Sequence, residues 1–189
     1  MLTVKNVEFI KSVASADALP ADGLAEFAFI GRSNVGKSSL MNMLFNRRNF
    51  VKTSKKPGKT VLLNYFSVNG SFYCVDLPGY GFAQRSATEQ QLWQRLIERY
   101  LTTRKELADI FLLLDSRLPR QANDTQMMEF LDFHKIRYTP VFTKTDKLSR
   151  NELAVLKQKN PGVLTVSAVT GAGRDELLQH IENRLSFSE

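Results

Sequence analysis

Apolar residues gather along this chain into short runs, and the spacing within each run marks out an element. Leu24 to Ile30 (LAEFAFI) is a mostly apolar run of strand length, and Ser38 to Asn46 (SSLMNMLFN) is apolar-rich and of helix length. Val61 to Val68 and Ser71 to Val75 flank Asn69-Gly70, the strongest short hairpin signal a sequence offers, so these two strands are predicted to be antiparallel neighbours. Leu92, Trp93, Leu96, Ile97, Tyr100 and Leu101 repeat at helical spacing behind a capping-box pattern, Ser86 with Glu89, and the stripe reads as a core face. Asp109 to Asp115 (DIFLLLD) reads as a buried strand and Gln121 to His134 as a polar-rich helix. Tyr138 to Phe142 is the next strand. Ser149 and Glu152 open a helix to about Gln158, Gly162 to Val166 is a last strand, and a final helix runs from about Gly173 to Leu185. Val4 to Ile10 reads as a short edge strand, and Ala18 to Gly23 as the turn after it. Strands and helices alternate almost throughout. The pattern predicts an open α/β sheet of mostly parallel strands, with one antiparallel hairpin strand and helices on both faces, and with ligand loops at the strands' carboxyl ends.

The length of 189 residues and a hydrophobic share of 43% suit one domain with a proper core. The longest apolar run, Ile110 to Leu114, is far short of the roughly 20 residues a membrane span needs, and Lys5, Glu8 and Lys11 interrupt the N-terminus where a signal peptide would be apolar. A cytoplasmic protein without a membrane partner is therefore expected, and a monomer. The single cysteine, Cys74, falls in an apolar strand run and reads as a small core residue. His134 and His180 have no carboxylate or cysteine at metal-ligand spacing and receive no function.

Charge changes the picture. From Phe27 to Val75 there is no Asp or Glu, while Arg32, Lys37, Arg47, Arg48, Lys52, Lys55, Lys56 and Lys59 supply 8 positive charges; the rest of the chain holds 18 basic and 19 acidic residues. Essentially the whole net charge of +7 lies in that stretch, so a polyanion is a second expected partner. A solvated loop with no partner is the bland alternative. Arg47 to Thr60 (RRNFVKTSKKPGKT) shows neither helical nor strand period and reads as a long loop of the kind that carries function.

The chemistry centres on Gly31-Arg32-Ser33-Asn34-Val35-Gly36-Lys37-Ser38, a G-x-x-x-x-G-K-[ST] phosphate loop between a strand and a helix. Its glycines let successive N–H groups curl toward phosphate oxygens at the helix's positive end. Lys37 is assigned to the β- and γ-phosphates and Ser38 to one corner of a Mg²⁺ octahedron, with Ser39 beside it. Asp76-Leu77-Pro78-Gly79 ends a predicted strand. Its aspartate suits a water-mediated contact to Mg²⁺, and Gly79 a backbone N–H to the γ-phosphate.

Taken together, GRSNVGKS at 31 to 38, Thr60, DLPG at 76 to 79, TKTD at 143 to 146 and SAVTG at 167 to 171 are similar to the five ordered motifs of a GTPase. The wording of GRSNVGKSSL, TSKKPGKT and NGSFYCVDLPGYGFA resembles the bacterial EngB family, also called YihA or YsxC, over nearly the whole chain. The resemblance implies a Ras-like G domain over residues 1 to 189, with an N-terminal extension or edge strand at 1 to 23 and switch loops at 47 to 60 and 77 to 87. It implies GTP and GDP as ligands and a role in assembly of the large ribosomal subunit, with that subunit or its precursor and its RNA as partners.

By position, the resemblance gives Asp146 the guanine N1–H and 2-amino group, which adenine lacks. Lys144 would lay its stem over the purine, and Ser167-Ala168 would meet guanine O6 through the Ala168 N–H. Thr143 stands where Asn is usual, and its hydroxyl is expected to tie this loop to the phosphate loop with fewer hydrogen bonds. Pro57, Gly58, Lys59 and Thr60 belong to the first switch, and Thr60 joins Ser38 and Asp76 as a Mg²⁺ ligand. Catalysis is assigned to Lys37, Thr60, Gly79 and Asn34, the last as a ligand for a K⁺ ion. Tyr80 replaces the glutamine that orients water in Ras-like enzymes, so slow hydrolysis follows. Arg85, Arg95, Arg99 and Arg104 are held in reserve as RNA contacts. A GTP-binding module with negligible turnover stays open as a second reading; a kinase sharing only the phosphate loop would leave TKTD and SAVTG without a role.

Overall fold

In the computed structural model, residues 1–51, 62–81 and 87–186 are described. Pro57, Gly58, Lys59 and Thr60, the lysines at 52, 55 and 56, Arg85 and the Ser86 cap lie outside them. Among the described residues, seven strands form one sheet in the order β1-β3-β4-β2-β5-β6-β7: β1 Val7–Val13, β2 Ala25–Gly31, β3 Leu63–Val68, β4 Phe72–Asp76, β5 Leu107–Asp115, β6 Thr139–Thr143 and β7 Leu164–Thr165. Five α-helices, α1 Lys37–Leu44, α2 Ala87–Thr103, α3 Ala122–Phe133, α4 Arg150–Lys159 and α5 Arg174–Ser186, alternate with these strands. β3 is antiparallel to both neighbours, and the other pairs flanking β2, β5 and β6 are parallel, so of these seven strands β3 alone runs against the rest.

Period-two alternation divides the strands' side chains between two cores. Phe27 and Phe29, Phe66 and Val68, Phe111 and Leu113 face α1 and α5, where Leu40, Met41, Leu177 and Ile181 are buried. Ala28 and Ile30, Tyr65, Val75, Ile110 and Leu112 face α2 and α3, where Ile97, Tyr100 and Leu131 are buried. Covering both faces is what turns β2 and β5 into nearly continuous apolar runs. Cys74 lies in the first core, and burial pushes its thiol pKa up, as suits a packing residue.

The Asn69-Gly70 turn takes positive φ at both central residues, 54° and 65°, the twist that joins two right-handed strands tightly. The edge strand starts three residues later than its apolar pattern suggests. The Asn69 side chain captures the preceding segment instead: its Oδ1 accepts from Lys5 N at 2.8 Å and Asn6 N at 3.0 Å, and its Nδ2 donates to Thr3 O at 2.8 Å. The ladder with β3 then runs from Val7 to Val13, with a bulge between Phe9 and Lys11. The Ser149–Glu152 capping box forms at the head of α4.

Two reserve cations are already engaged. Arg104 donates to buried Glu26 through Nε at 2.9 Å and Nη2 at 2.6 Å, and Arg99 pairs with Asp17 at 2.7 Å. Among the described residues, no helix is long and apolar enough to cross a membrane.

Candidate nucleotide-binding site

The carboxyl ends of β4, β2, β5, β6 and β7 lie side by side, and strand order reverses about β2, where an α/β sheet offers its ligand crevice. The phosphate loop leaves β2 there. A Cβ on Gly31 would come within 2.9 Å of both Leu113 O and Val35 Cγ1, so only glycine lets the loop fold back this closely over β5. Val35 is buried as the loop's anchor, while Asn34 is exposed at its tip with φ 63°. Among the described residues, the backbone N–H groups of Asn34, Gly36, Lys37 and Ser38 have no hydrogen-bond acceptor. Free donors at the head of α1 form the anion cradle expected of this motif.

The loop after β4 is fastened to this cradle. Leu77 N donates to Phe29 O at 3.0 Å, Tyr80 N to Gly31 O at 3.3 Å, and Ser33 N to Tyr80 O at 3.3 Å. Gly79 fits because a Cβ there would sit 3.0 Å from Gly31 O and 3.4 Å from Ser33 N. The Lys37 ammonium pairs with the Asp76 carboxylate, which also takes Asn64 Nδ2 at 3.4 Å, so the two motifs meet through their charged groups. Ser38 follows Lys37 in the first turn of α1. A hydroxyl and one carboxylate are hard oxygen donors, and they suit Mg²⁺, which keeps several waters and binds through one or two protein oxygens plus phosphates. Among the described residues, no cluster of three or more His, Cys, Asp or Glu offers another metal site.

The Tyr80 side chain is tied to α3. Its hydroxyl is buried and donates to Asp124 Oδ1 at 2.8 Å, and burial first, then the Asp124 charge, pushes its pKa up. Trp93 corrects the expectation of packing alone: Nε1 donates to Pro78 O at 2.9 Å, tying α2 to the DLPG loop.

The loops after β6 and β7 make the other half. Thr143 Oγ1 lies 2.7 Å from Val35 O and 3.1 Å from Leu114 O, reaching the phosphate loop as its residue type suggests. Lys144, in the left-handed region at φ 59°, sends its ammonium to Asn34 O at 2.6 Å and Asp115 Oδ2 at 2.8 Å. Asp146 Oδ1 accepts from Ser167 Oγ at 2.8 Å, and that bond leads the effects holding its carboxyl below the ordinary range. Ser167 Oγ in turn takes Val169 N at 3.3 Å and Thr170 N at 3.2 Å, which shapes the SAVTG turn around Ala168. The structure thus gathers the phosphate loop with Ser39 on α1, the DLPG loop and the TKTD and SAVTG loops along one edge. Asn64, Asp115, Arg117 and Asp124 support it and were missed in the sequence. Only Asp115 carried a signal, as a charge ending a buried parallel strand on the ligand side.

A family model described as "50S ribosome-binding GTPase" matches residues 26–144. The chain is 44% identical over 192 residues to "Probable GTP-binding protein EngB" of Chlorobium luteolum, covering 98% of this chain and 93% of that protein. It is 46% identical over 197 residues to the protein of the same description from Pelotomaculum thermopropionicum, covering 99% of each. A crystal structure of a probable GTP-binding protein engB superposes with a TM-score of 0.66 over 86% of this chain and 99% of that one; at 22% identity this likeness speaks for the fold.

Proposed function

The chain belongs to the EngB family of GTP-binding proteins and is a GTPase, and on that premise we propose that it acts in the cytoplasm as a slow, nucleotide-dependent switch in assembly of the large ribosomal subunit. The observation that carries the reading is the convergence of phosphate-loop donors, the Asp76 carboxylate and the Asp146–Ser167 pair on one sheet edge.

The triphosphate lies along residues 31 to 38, where loop N–H groups and Lys37 neutralise it. Lys37 exchanges its Asp76 partner for phosphate oxygens. Asp146 accepts the N1–H and 2-amino protons of guanine, Ala168 N–H meets O6, and Lys144 underlies the ring. Ser38, Asp76 and Thr60 would hold Mg²⁺, which when bound would supply charge neutralisation on the phosphates. Lys37 stabilises negative charge moving toward the leaving phosphates, and Gly79 N–H the γ-phosphate. Asn34, exposed at the loop tip, is the candidate ligand for K⁺. The Tyr80 hydroxyl is committed to Asp124, so no side chain at that position orients water, and turnover is slow until a partner supplies what is missing.

The ribosomal half rests on the family description, which names 50S binding, and on the acid-free basic stretch from Phe27 to Val75. GTP turnover measured with and without purified large-subunit particles tests it. Stimulation is expected. An unchanged rate, with no retention on the particles, would favour the plain GTP-binding module instead.

A further inference from the structure

A feature outside the five motifs bears on how the base is held. Asp115 ends β5 directly opposite Thr143 in the pairing with β6, so its side chain stands beside the first residue beyond that strand, Lys144. Ser116 N donates to Thr143 O at 3.1 Å and Leu118 N to Asp115 O at 3.1 Å, which fixes the turn relative to the TKTD loop. The carboxylate is largely covered and takes three charged bonds: Arg117 Nε to Oδ1 at 2.9 Å, Arg117 Nη2 to Oδ2 at 2.8 Å, and Lys144 Nζ to Oδ2 at 2.8 Å. The Arg117 bonds outweigh burial, and with Lys144 they hold this carboxyl well below the usual range.

Lys144 has the four-carbon stem of a side chain that is mobile when free. Here both ends are fixed. Its backbone sits in the left-handed region, and its ammonium is clamped between Asn34 O and Asp115. Between them the stem crosses the phosphate loop, with Cε 3.7 Å from where a Cβ on Gly36 would lie.

Resting on the reading that guanine sits over the TKTD loop, we infer that Asp115 is a positioning residue that holds the Lys144 stem flat across the phosphate loop before nucleotide arrives, with Arg117 fixing the carboxylate's orientation. The stem's rotamer freedom is then lost on folding and not on binding, and preorganisation of this kind shows in affinity and residence time. Because the stem touches the base and not the γ-phosphate, GTP and GDP share the benefit equally.

Release of fluorescent GDP and of a fluorescent non-hydrolysable GTP analogue, measured by stopped flow, tests it. Asp115→Asn is expected to speed release of both nucleotides by about tenfold. On a Lys144→Met background, which keeps the stem and drops the ammonium, Asp115→Asn is expected to add nothing, because its whole effect runs through that ammonium. A generally structural Asp115 would give losses that multiply, and that result overturns the inference, as does unchanged release by Asp115→Asn. Should Asp115→Asn not fold, Arg117→Ala at a half-exposed position decides: faster release of both nucleotides by roughly two- to threefold supports the clamp, and unchanged release overturns it. Asp146→Asn, run alongside, keeps the two readings apart. If it retains full preference for guanine, the base site itself is misplaced, whatever Asp115 does.

Discussion

On the proposed reading, base selection comes down to one carboxylate. Asp146 keeps Oδ1 on the Ser167 hydroxyl, which aims the group, and the depressed carboxyl pKa keeps it an acceptor through the neutral range. Asp146→Asn should weaken GTP binding and favour xanthosine triphosphate, since xanthine carries a carbonyl where guanine carries an amino group; titration of both nucleotides reads it. Unaltered preference for GTP would remove Asp146 from the base. For the chemistry, Lys37 and Tyr80 should separate cleanly. Lys37→Ala removes a charge from the phosphates and should abolish measurable turnover. Tyr80→Phe takes a donor from buried Asp124 and should cost about 1–2 kcal/mol of stability, leaving the hydrolysis rate near that of the parent. Denaturant melts and a phosphate-release assay measure the two; a Tyr80→Phe enzyme as slow as Lys37→Ala would return Tyr80 to the catalytic centre. The gathering of these residues on one edge was legible because each motif residue must present one kind of group at one spacing. Trp93 was half legible: helical period placed it in a core face, but its bond to the Pro78 carbonyl depends on how α2 lies over a loop far away in sequence. Asn64 and Asp124 carry no local pattern, because they act through partners that only the fold brings near.

Elements are held to one another at the sheet's far end by buried carboxylates. Glu26, fully buried in β2, gathers Tyr65 OH at 3.1 Å, Tyr100 OH at 2.7 Å and the Arg104 guanidinium, so β3 and the end of α2 close on one charge. Asp109 does the same for α5: its Oδ2 meets His180 Nε2 at 2.7 Å, Thr139 Oγ1 at 2.8 Å and Arg184 Nε at 3.3 Å, and its Oδ1 takes Ile110 N at 2.8 Å. Burial alone would raise the Asp109 pKa, but bonds from His180, Thr139 and Ile110 N–H carry it below the ordinary value. A depressed folded-state pKa means stability that is present above the unfolded pKa, about 4, and lost as pH falls through the folded one. Asp109→Asn should cost about 2–3 kcal/mol at pH 6 and then lose less than the parent between pH 5 and pH 3. Equal acid losses in parent and variant would mean that Asp109 does not couple α5 to pH. Neither network was visible beforehand. Runs and caps predicted most elements because they are local, whereas the start of β1 was set by an asparagine side chain some sixty residues away.

On the scale of the whole molecule, the nucleotide edge and the excess charge have to act together if the protein is a switch. With Arg104 held by Glu26 and Arg99 by Asp17, the basic stretch between the phosphate loop and β4 remains the main source of cations for a polyanion. Changing Lys52, Lys55 and Lys56 together to Ala should weaken association with large-subunit particles and flatten its salt dependence, by roughly 0.7 to 0.9 in log–log slope for each phosphate no longer neutralised, while leaving GDP affinity nearly unchanged. Sedimentation across a salt series reads the slope, and tight, salt-insensitive binding by the triple variant would exclude this stretch. Co-sedimentation of the unmodified protein with large ribosomal subunits, in a non-hydrolysable GTP analogue and in GDP, asks the central question most directly. The protein is expected to pellet with the particles in the analogue and to stay in the supernatant in GDP; equal pelleting in both nucleotides, or none in either, would contradict a nucleotide-dependent switch on the large subunit.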